Sequence, residues 1–314
     1  MSVNRTTSDD TQSGTRARVH PSARRAVELG RRVSELPRLI TPGKVSQQGR
    51  FWRVPRLDRT LDVHVYVASL NTALATELCV RSLRAYAGCS YRLTVGDGGS
   101  TDDSLEMLEE FRDRGWLELE VDPSRPRHHQ WLERWLARSD GDLLVFCDSD
   151  MEFVRPDALR PLVSVAASSG AALTVAEHCL EAGGGREPVT GKPVRMAERF
   201  SAWLFAVDPR AVSGFAPSFG FTWCEDPTIP EGNRGFDTGA LFLGEINRLD
   251  LGYAVMPHLY RRRYRHFTGM TWRPILDVED DARTAKLHRE IQASLGRLRW
   301  LDAERLRTQV SLST

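Results

Sequence analysis

"LLVFCDSDMEF", residues 143–153, is an apolar run that ends on two aspartates one residue apart. As a strand, Leu143, Leu144, Val145, Phe146 and Cys147 gain by burial, whereas carboxylates at its tip must stay solvated or meet a cation. Two readings follow. Aspartate favours turns, so Asp148 and Asp150 suit a strand running out into a polar loop. They equally suit a divalent-metal site at the carboxyl end of a parallel strand. A motif this short does not choose between them; its surroundings must.

On the N-terminal side, "DVHVYVASL" (62–70) alternates as a strand, and Leu74, Leu78, Leu83 and Tyr86 lie near one face of a helix over 74–86. "YRLTVGD" (91–97) is a second strand. Ser100 is expected to cap a helix carrying Leu105, Leu108 and Phe111, with Asp103 as its capping-box partner. "WLELEV" (116–121), a helix over 127–139 and "DLLVFCD" (142–148) follow. Pro156 opens another helix, and "AALTVAEH" (171–178) is a fifth strand. Strands alternating with helices predict an α/β fold with a right-handed, mostly parallel sheet.

After Cys179 the rhythm changes. "GGGREPVTGKP" (183–193) reads as a flexible loop or hairpin tip and "RFSAWLFAV" (199–207) as a strand. A helix from Thr238 to Leu251, a short strand "YAVMP" and a charged amphipathic tail from Asp280 to Arg307 complete the chain, with no internal repeat. This divides it into an N-terminal extension (1–60), two halves of one folded region (61–178 and 179–275) and a helical tail (276–314). Residues 1–20 read as disordered and 21–37 as a short basic helix.

Among 314 residues, 41% are hydrophobic and 27% charged, ordinary values for a globular protein. A formal charge of +1 calls for neither nucleic acid nor an anionic membrane. Five cysteines without a C-x-x-C pair argue against a disulfide framework or structural zinc and suit a reducing compartment. The N-terminus has no apolar core of signal-peptide length, and the longest charge-free stretch, Pro161 to Ala176, is too short to span a bilayer. The expectation is a soluble, cytoplasmic protein with no transmembrane segment. A homo-oligomer is compatible with all of this.

In open α/β sheets, ligands sit outside the carboxyl ends of the strands. Ser69 and Asn71, the run "GDGGSTDD" (96–103) and the Asp148–Ser149–Asp150 turn all fall there. Gly98 and Gly99 permit a tight turn and close approach of a ligand. An ionised Asp97 accepts hydrogen bonds only, so it suits the imide N–H of a uracil or thymine ring; Asp-Gly-Gly-Ser is also ordinary turn punctuation.

Asn71, then "VGDGGSTDD" (95–103), then "GDLLVFCDSD" (141–150), each after a predicted strand, together resemble the nucleotide-binding half of the family 2-like glycosyltransferases with the GT-A fold. The likeness runs from about residue 62 to 165. Gly98 stands where that family usually has Asp or Asn, and "RHHQWLERW" lacks its usual small residues and Asn. The resemblance implies a nucleoside diphosphate sugar donor, of UDP or dTDP type, with Asp97 on the nucleobase. Ser69, Asn71, Gly98, Gly99 and Ser149 would line the nucleotide site. Asp148 would lie near ribose and metal, and Asp150 would coordinate Mn2+ or Mg2+.

The same resemblance implies an inverting enzyme whose general base starts a late helix. Asp237 in "RGFDTGALFLGEINRL" takes that place, with Glu225 and Asp226 in "WCEDPTIPE" as alternatives. In "YRRRYRHFTGMTW" (260–272), His266 resembles the family's late histidine, which closes over the diphosphate and completes the metal's coordination. Arg263 and Arg265 are diphosphate or acceptor candidates, although four arginines there also fit a solvated strand edge. Trp223 and Trp272 are candidates for stacking on the acceptor, while Trp131, Trp135 and Trp203 read by default as core. His128 and His129 point about 100° apart on a helix, so one at most faces a site, and both read as structural. The acceptor would be a small molecule, a glycan or a lipid-linked group, offering a hydroxyl or amine.

Two rivals stay open. A sugar-nucleotide nucleotidyltransferase needs a Gly-rich basic loop after the first strand, and "VASLNTALATEL" (67–78) has no Gly, Arg or Lys. A non-catalytic nucleotide- or carbohydrate-binding protein of the same fold would have less need of Asp97, Asp148, Asp150 and His266 together.

Overall fold

The computed structural model describes residues 47–50, 56–57, 59–138, 140–179, 185–186, 193–214, 218–225, 232–268, 270 and 281–312. The expectations for residues 1–20 and 21–37, and the candidates Asp226 and Trp272, lie outside the described residues. So do the side chains of Trp223 and Glu225.

The alternation read from sequence is realised as strands β2 (Val63–Ser69), β3 (Arg92–Asp97), β4 (Glu118–Val121), β5 (Leu143–Asp148) and β7 (Leu173–Val175); β1 (Gln47–Arg50), within the stretch expected to be an extension, and β6 (Met151–Phe153) were not expected. Between them run helices α1 (Ala73–Tyr86), α2 (Ser104–Asp113), α3 (His128–Arg138) and α4 (Arg160–Ser169). The later part adds short strands β8 (His178–Cys179), β9 (Gly185–Arg186), β10 (Pro193–Met196), β11 (Arg199–Phe200), β12 (Leu204–Val207), β13 (Thr222–Glu225) and β14 (Asn233–Phe236). Helix α5 (Ala240–Arg248), β15 (Tyr253–Val255), a 3-10 turn (His258–Arg263), β16 (Tyr264–His266) and a long helix α6 (Asp281–Leu312) follow.

The central sheet has the order β1-β15-β7-β12-β5-β2-β3-β4. All its pairs are parallel except those of β12, which runs antiparallel to both β5 and β7. This is the α/β, mostly parallel architecture expected, and both halves of the chain contribute strands to it. Strand periodicity explains the two-sided core. Val63, Val65, Val67, Leu143, Val145 and Cys147 face one apolar cluster with α1, α2 and α4. Tyr66, Leu144 and Phe146 face the other, with Trp131 and Trp135 of α3 and Phe242 of α5.

Several boundaries differ from the sequence reading. The helix expected from Pro156 starts at Arg160, because Asp157 adopts a left-handed φ of 58° and packs against Gly88, where an added Cβ would fall 2.3 Å from the Asp157 backbone. "RFSAWLFAV" is broken into β11 and β12, and "AALTVAEH" into β7 and β8. β9 pairs antiparallel with β10; the rest of 183–192, read as a loop or hairpin tip, lies outside the described residues. The tail is one helix to Leu312, whose Ile291, Leu295 and Leu298 pack on Ala75 and Leu78 of α1. No helix among the described residues is long and apolar enough to cross a membrane.

Candidate metal centre

The site forms where β5 ends. After Asp148 the chain makes a two-residue turn and leaves as β6, which pairs antiparallel with β16 in the register Met151↔His266. The amide of Phe267 donates to the carbonyl of Asp150 at 2.9 Å, and that of Asp148 to the carbonyl of Trp203 at 2.9 Å. These bonds carry a histidine from the far end of the fold to the aspartate turn. His266 Nε2 lies 3.0 Å from Asp150 Oδ1 and 3.7 Å from Asp148 Oδ2. Its ring stacks on Trp203, centroids 5.5 Å apart, and its Nδ1 is 3.3 Å from the Thr268 hydroxyl.

Burial pushes the Asp148 carboxyl above the usual range; His128 and His266 oppose this, and the charge of Asp150 adds to it. Burial alone would lower His266, but the Asp150 carboxylate 3.0 Å away and the charges of Asp148 and Glu177 outweigh it, and the imidazole is raised. Asp150 is 2% exposed, and its Oδ1 receives no hydrogen bond of good geometry. A buried carboxylate oxygen without a donor is costly unless a cation meets it. One atom each from Asp148, Asp150 and His266 lies within 4.8 Å of the others. Two carboxylates and an imidazole suit Mn2+ or Mg2+, so the residues fit the ion the sequence called for.

His128 is a correction. Expected from sequence to be structural, it instead reaches the site, its Nε2 3.3 Å from Asp148 Oδ1. The local cause is Gly96 in β3, where an added Cβ would come within 2.7 Å of Trp135 and 2.9 Å of Trp131. The missing side chain lets both tryptophans of α3 settle on the sheet, and α3 then presents His128 at its first turn. Gly96 beside two tryptophans at helical spacing was the signal available in the sequence.

The turn after β3 is built differently. Asp97 Oδ1 accepts from the amides of Gly99 and Ser100, both at 2.9 Å, and Oδ2 from the Ser100 hydroxyl at 2.6 Å. The side chain is fully buried. Ser100 therefore does not cap the next helix. That helix begins at Ser104 after Asp103, which makes no side-chain cap bond. Ser100 Oγ instead accepts from the amide of Asn71, whose Oδ1 takes the Thr101 amide at 2.7 Å. Gly99, with φ 77°, needs its glycine; Gly98 does not, since a Cβ there meets Leu70 at an ordinary 3.6 Å. Ser69, Thr72, Thr76 and Ser149 form a buried line of hydroxyls joining this turn to the aspartate turn.

Asp237 does not begin its helix. It precedes a left-handed Gly239 at φ 89°, and α5 starts at Ala240. The Asp237 carboxylate accepts from the Thr238 amide at 2.7 Å and pairs with Arg199 of β11 at 3.2 Å. The strand edge expected around Arg263 and Arg265 is a 3-10 turn followed by β16. Arg263 donates to the carbonyl oxygens of Pro156 and Asp157 at 2.5 and 3.3 Å. Arg265 lies 3.5 Å from Glu152 and 3.9 Å from Glu290, on the strand face opposite to His266.

Residues 64–209 match the family model described as glycosyl transferase family 2. No curated protein matches the sequence. A mannosyltransferase from Pyrobaculum calidifontis, solved in complex with GDP-Man and Mn2+, is similar at 16% identity and TM-score 0.46, over 88% of this chain and 84% of that one. Glucosyl-3-phosphoglycerate synthase from Mycobacterium tuberculosis, solved with Mn2+, uridine diphosphate and glucosyl-3-phosphoglycerate, is similar at 16% identity and TM-score 0.42, over 76% of this chain and 80% of that one.

Proposed function

We propose that this chain, whose residues 64–209 are a family 2 glycosyltransferase domain, transfers a sugar from a nucleoside diphosphate to an acceptor hydroxyl or amine with inversion of configuration. The observation that carries the reading is the buried Asp150 Oδ1, which receives no hydrogen bond of good geometry, grouped with Asp148 and His266 at the carboxyl edge of the parallel sheet. Asp148, Asp150 and His266 would hold a divalent cation, Mn2+ or Mg2+, which supplies charge neutralisation at the leaving diphosphate. His128 orients Asp148. Asp97 shapes the turn against which the nucleobase sits.

Asp237 is the general base. Arg199 and the Thr238 amide hold its carboxylate in one orientation, and the acceptor's proton passes to it as the sugar's anomeric carbon is attacked. The test is single-turnover transfer by Asp237→Asn, with donor affinity measured alongside. Donor binding is expected to persist while the rate falls by about 10²–10⁴-fold. Normal turnover in that variant, or a retained anomeric configuration read by proton coupling, would overturn the assignment.

A further inference from the structure

A cleft of about 680 Å3 opens between α6 and β6, lined among others by Tyr86, Glu152, Gln292, Gly296, Arg297 and Trp300. Three of its features have no part in the metal centre. Glu152 is 4% exposed, and its Oε2 receives no hydrogen bond among the described residues. Arg265 stands 3.5 Å from Oε2 and Arg297 3.7 Å from Oε1, both beyond hydrogen-bonding distance. Trp300 is 62% exposed, a large aromatic surface left in water. Gly296 sits inside a 32-residue helix, where glycine is less stable than alanine, yet an added Cβ would meet nothing within 4 Å. Packing does not call for a glycine there; its effect is to leave the helical wall of the cleft open.

The charges restrict the occupant. A cation entering the cleft approaches the Arg297 guanidinium that lines it, and an anion approaches the buried carboxylate of Glu152. A neutral ligand with hydroxyl groups meets neither penalty. Its O–H groups donate to the Glu152 carboxylate that lines the cleft, its oxygens accept from Arg297 and Gln292, and its C–H face covers Trp300. We infer that this cleft is a second carbohydrate site, separate from the donor site, that takes a neutral pyranose ring. The space is within the range of small-ligand pockets. The inference does not depend on the catalytic reading, because none of the metal-centre residues lines the cleft.

Calorimetry on the full chain in EDTA, with glucose, mannose and galactose and their linear oligosaccharides, tests it with the metal-dependent site silent. Wild type is expected to bind at least one series. Trp300→Ala should weaken that binding by about tenfold, and Gly296→Leu, which fills the cleft from an unobstructed position, should abolish it. Mn2+-dependent nucleoside diphosphate affinity should stay unchanged in both variants, which also reports that they fold. Tighter binding of an oligosaccharide than of its monosaccharide would identify an extended glycan as the occupant, and equal binding a single sugar. No saccharide binding at millimolar concentration, or binding indifferent to both variants, would overturn the inference. So would inorganic phosphate or spermidine binding that Gly296→Leu removes, because the occupant would then be charged. Saccharide binding lost in Asp150→Ala but kept in Gly296→Leu would place the sugar at the metal centre and likewise overturn it.

Discussion

Asp97 and Asp150 stand at the exits of two strands that flank β2 in the same sheet, and both are buried. The carboxylate of Asp97 receives three hydrogen bonds from its own turn. That of Asp150 has an inner oxygen with no hydrogen bond and an imidazole 3.0 Å away. One turn is complete in itself; the other is complete only with a ligand. Residue type and burial are the same in both, so what separates a structural aspartate from a ligand-binding one is whether the fold supplies donors to it. A satisfied buried carboxylate stabilises the native state, whereas an unsatisfied one costs stability and is retained for what it binds.

The comparison is most exposed at Asp150. Asp150→Asn should lower Mn2+-dependent nucleoside diphosphate affinity by more than about a hundredfold, since even residues supporting a metal ligand cost 10–100-fold when changed. Stability without metal should be unchanged or higher, because a poorly compensated charge has gone. Calorimetry and urea unfolding on the same variant check both, and undiminished affinity would sink the metal assignment.

Asp97→Ala should do the opposite. Loss of three bonds to a charged acceptor should lower unfolding free energy by roughly 3 kcal/mol, read from the urea midpoint. A variant as stable as wild type would show that the turn holds without its carboxylate.

A third buried carboxylate extends the rule. Burial raises the Glu77 carboxyl, but bonds from Arg299 and Arg81 outweigh this and hold it below the usual range. Its contribution is therefore present above the unfolded carboxylate value and lost as pH falls through the lower folded one. Glu77→Gln should cost about 2 kcal/mol at pH 7, and the gap from wild type should close in acid. A gap independent of pH would exclude the charged interaction as its source.

The smallest effect is expected at His128, which touches the site only through Asp148. His128→Ala should weaken Mn2+-dependent donor binding by about tenfold with little change in stability. A full loss of binding would make it a ligand in its own right.

Much of the site was legible because strand ends are legible. An apolar run of period two followed by Asp-x-Asp, and another followed by Asp-Gly-Gly, locate ligand positions once the sheet is parallel. Helix starts were less so. Ser100 looked like a cap but serves the turn, and α5 begins after Gly239 because that residue takes a left-handed turn. Side-chain direction in the late segment was not legible either. The alternation of β16 sends Arg265 to Glu152 and His266 to Asp150, and only the pairing with β6 sets which goes where.

By itself the sequence determined the α/β rhythm and the aspartates at the exits of β3 and β5, because burial and periodicity are local. The tertiary structure decided which aspartate is satisfied, that His128 and His266 converge on Asp148, and that Arg199 holds Asp237. Those outcomes depend on partners far apart in the chain, and a carboxylate's hydrogen-bond donors are supplied by the fold rather than by its neighbours in sequence.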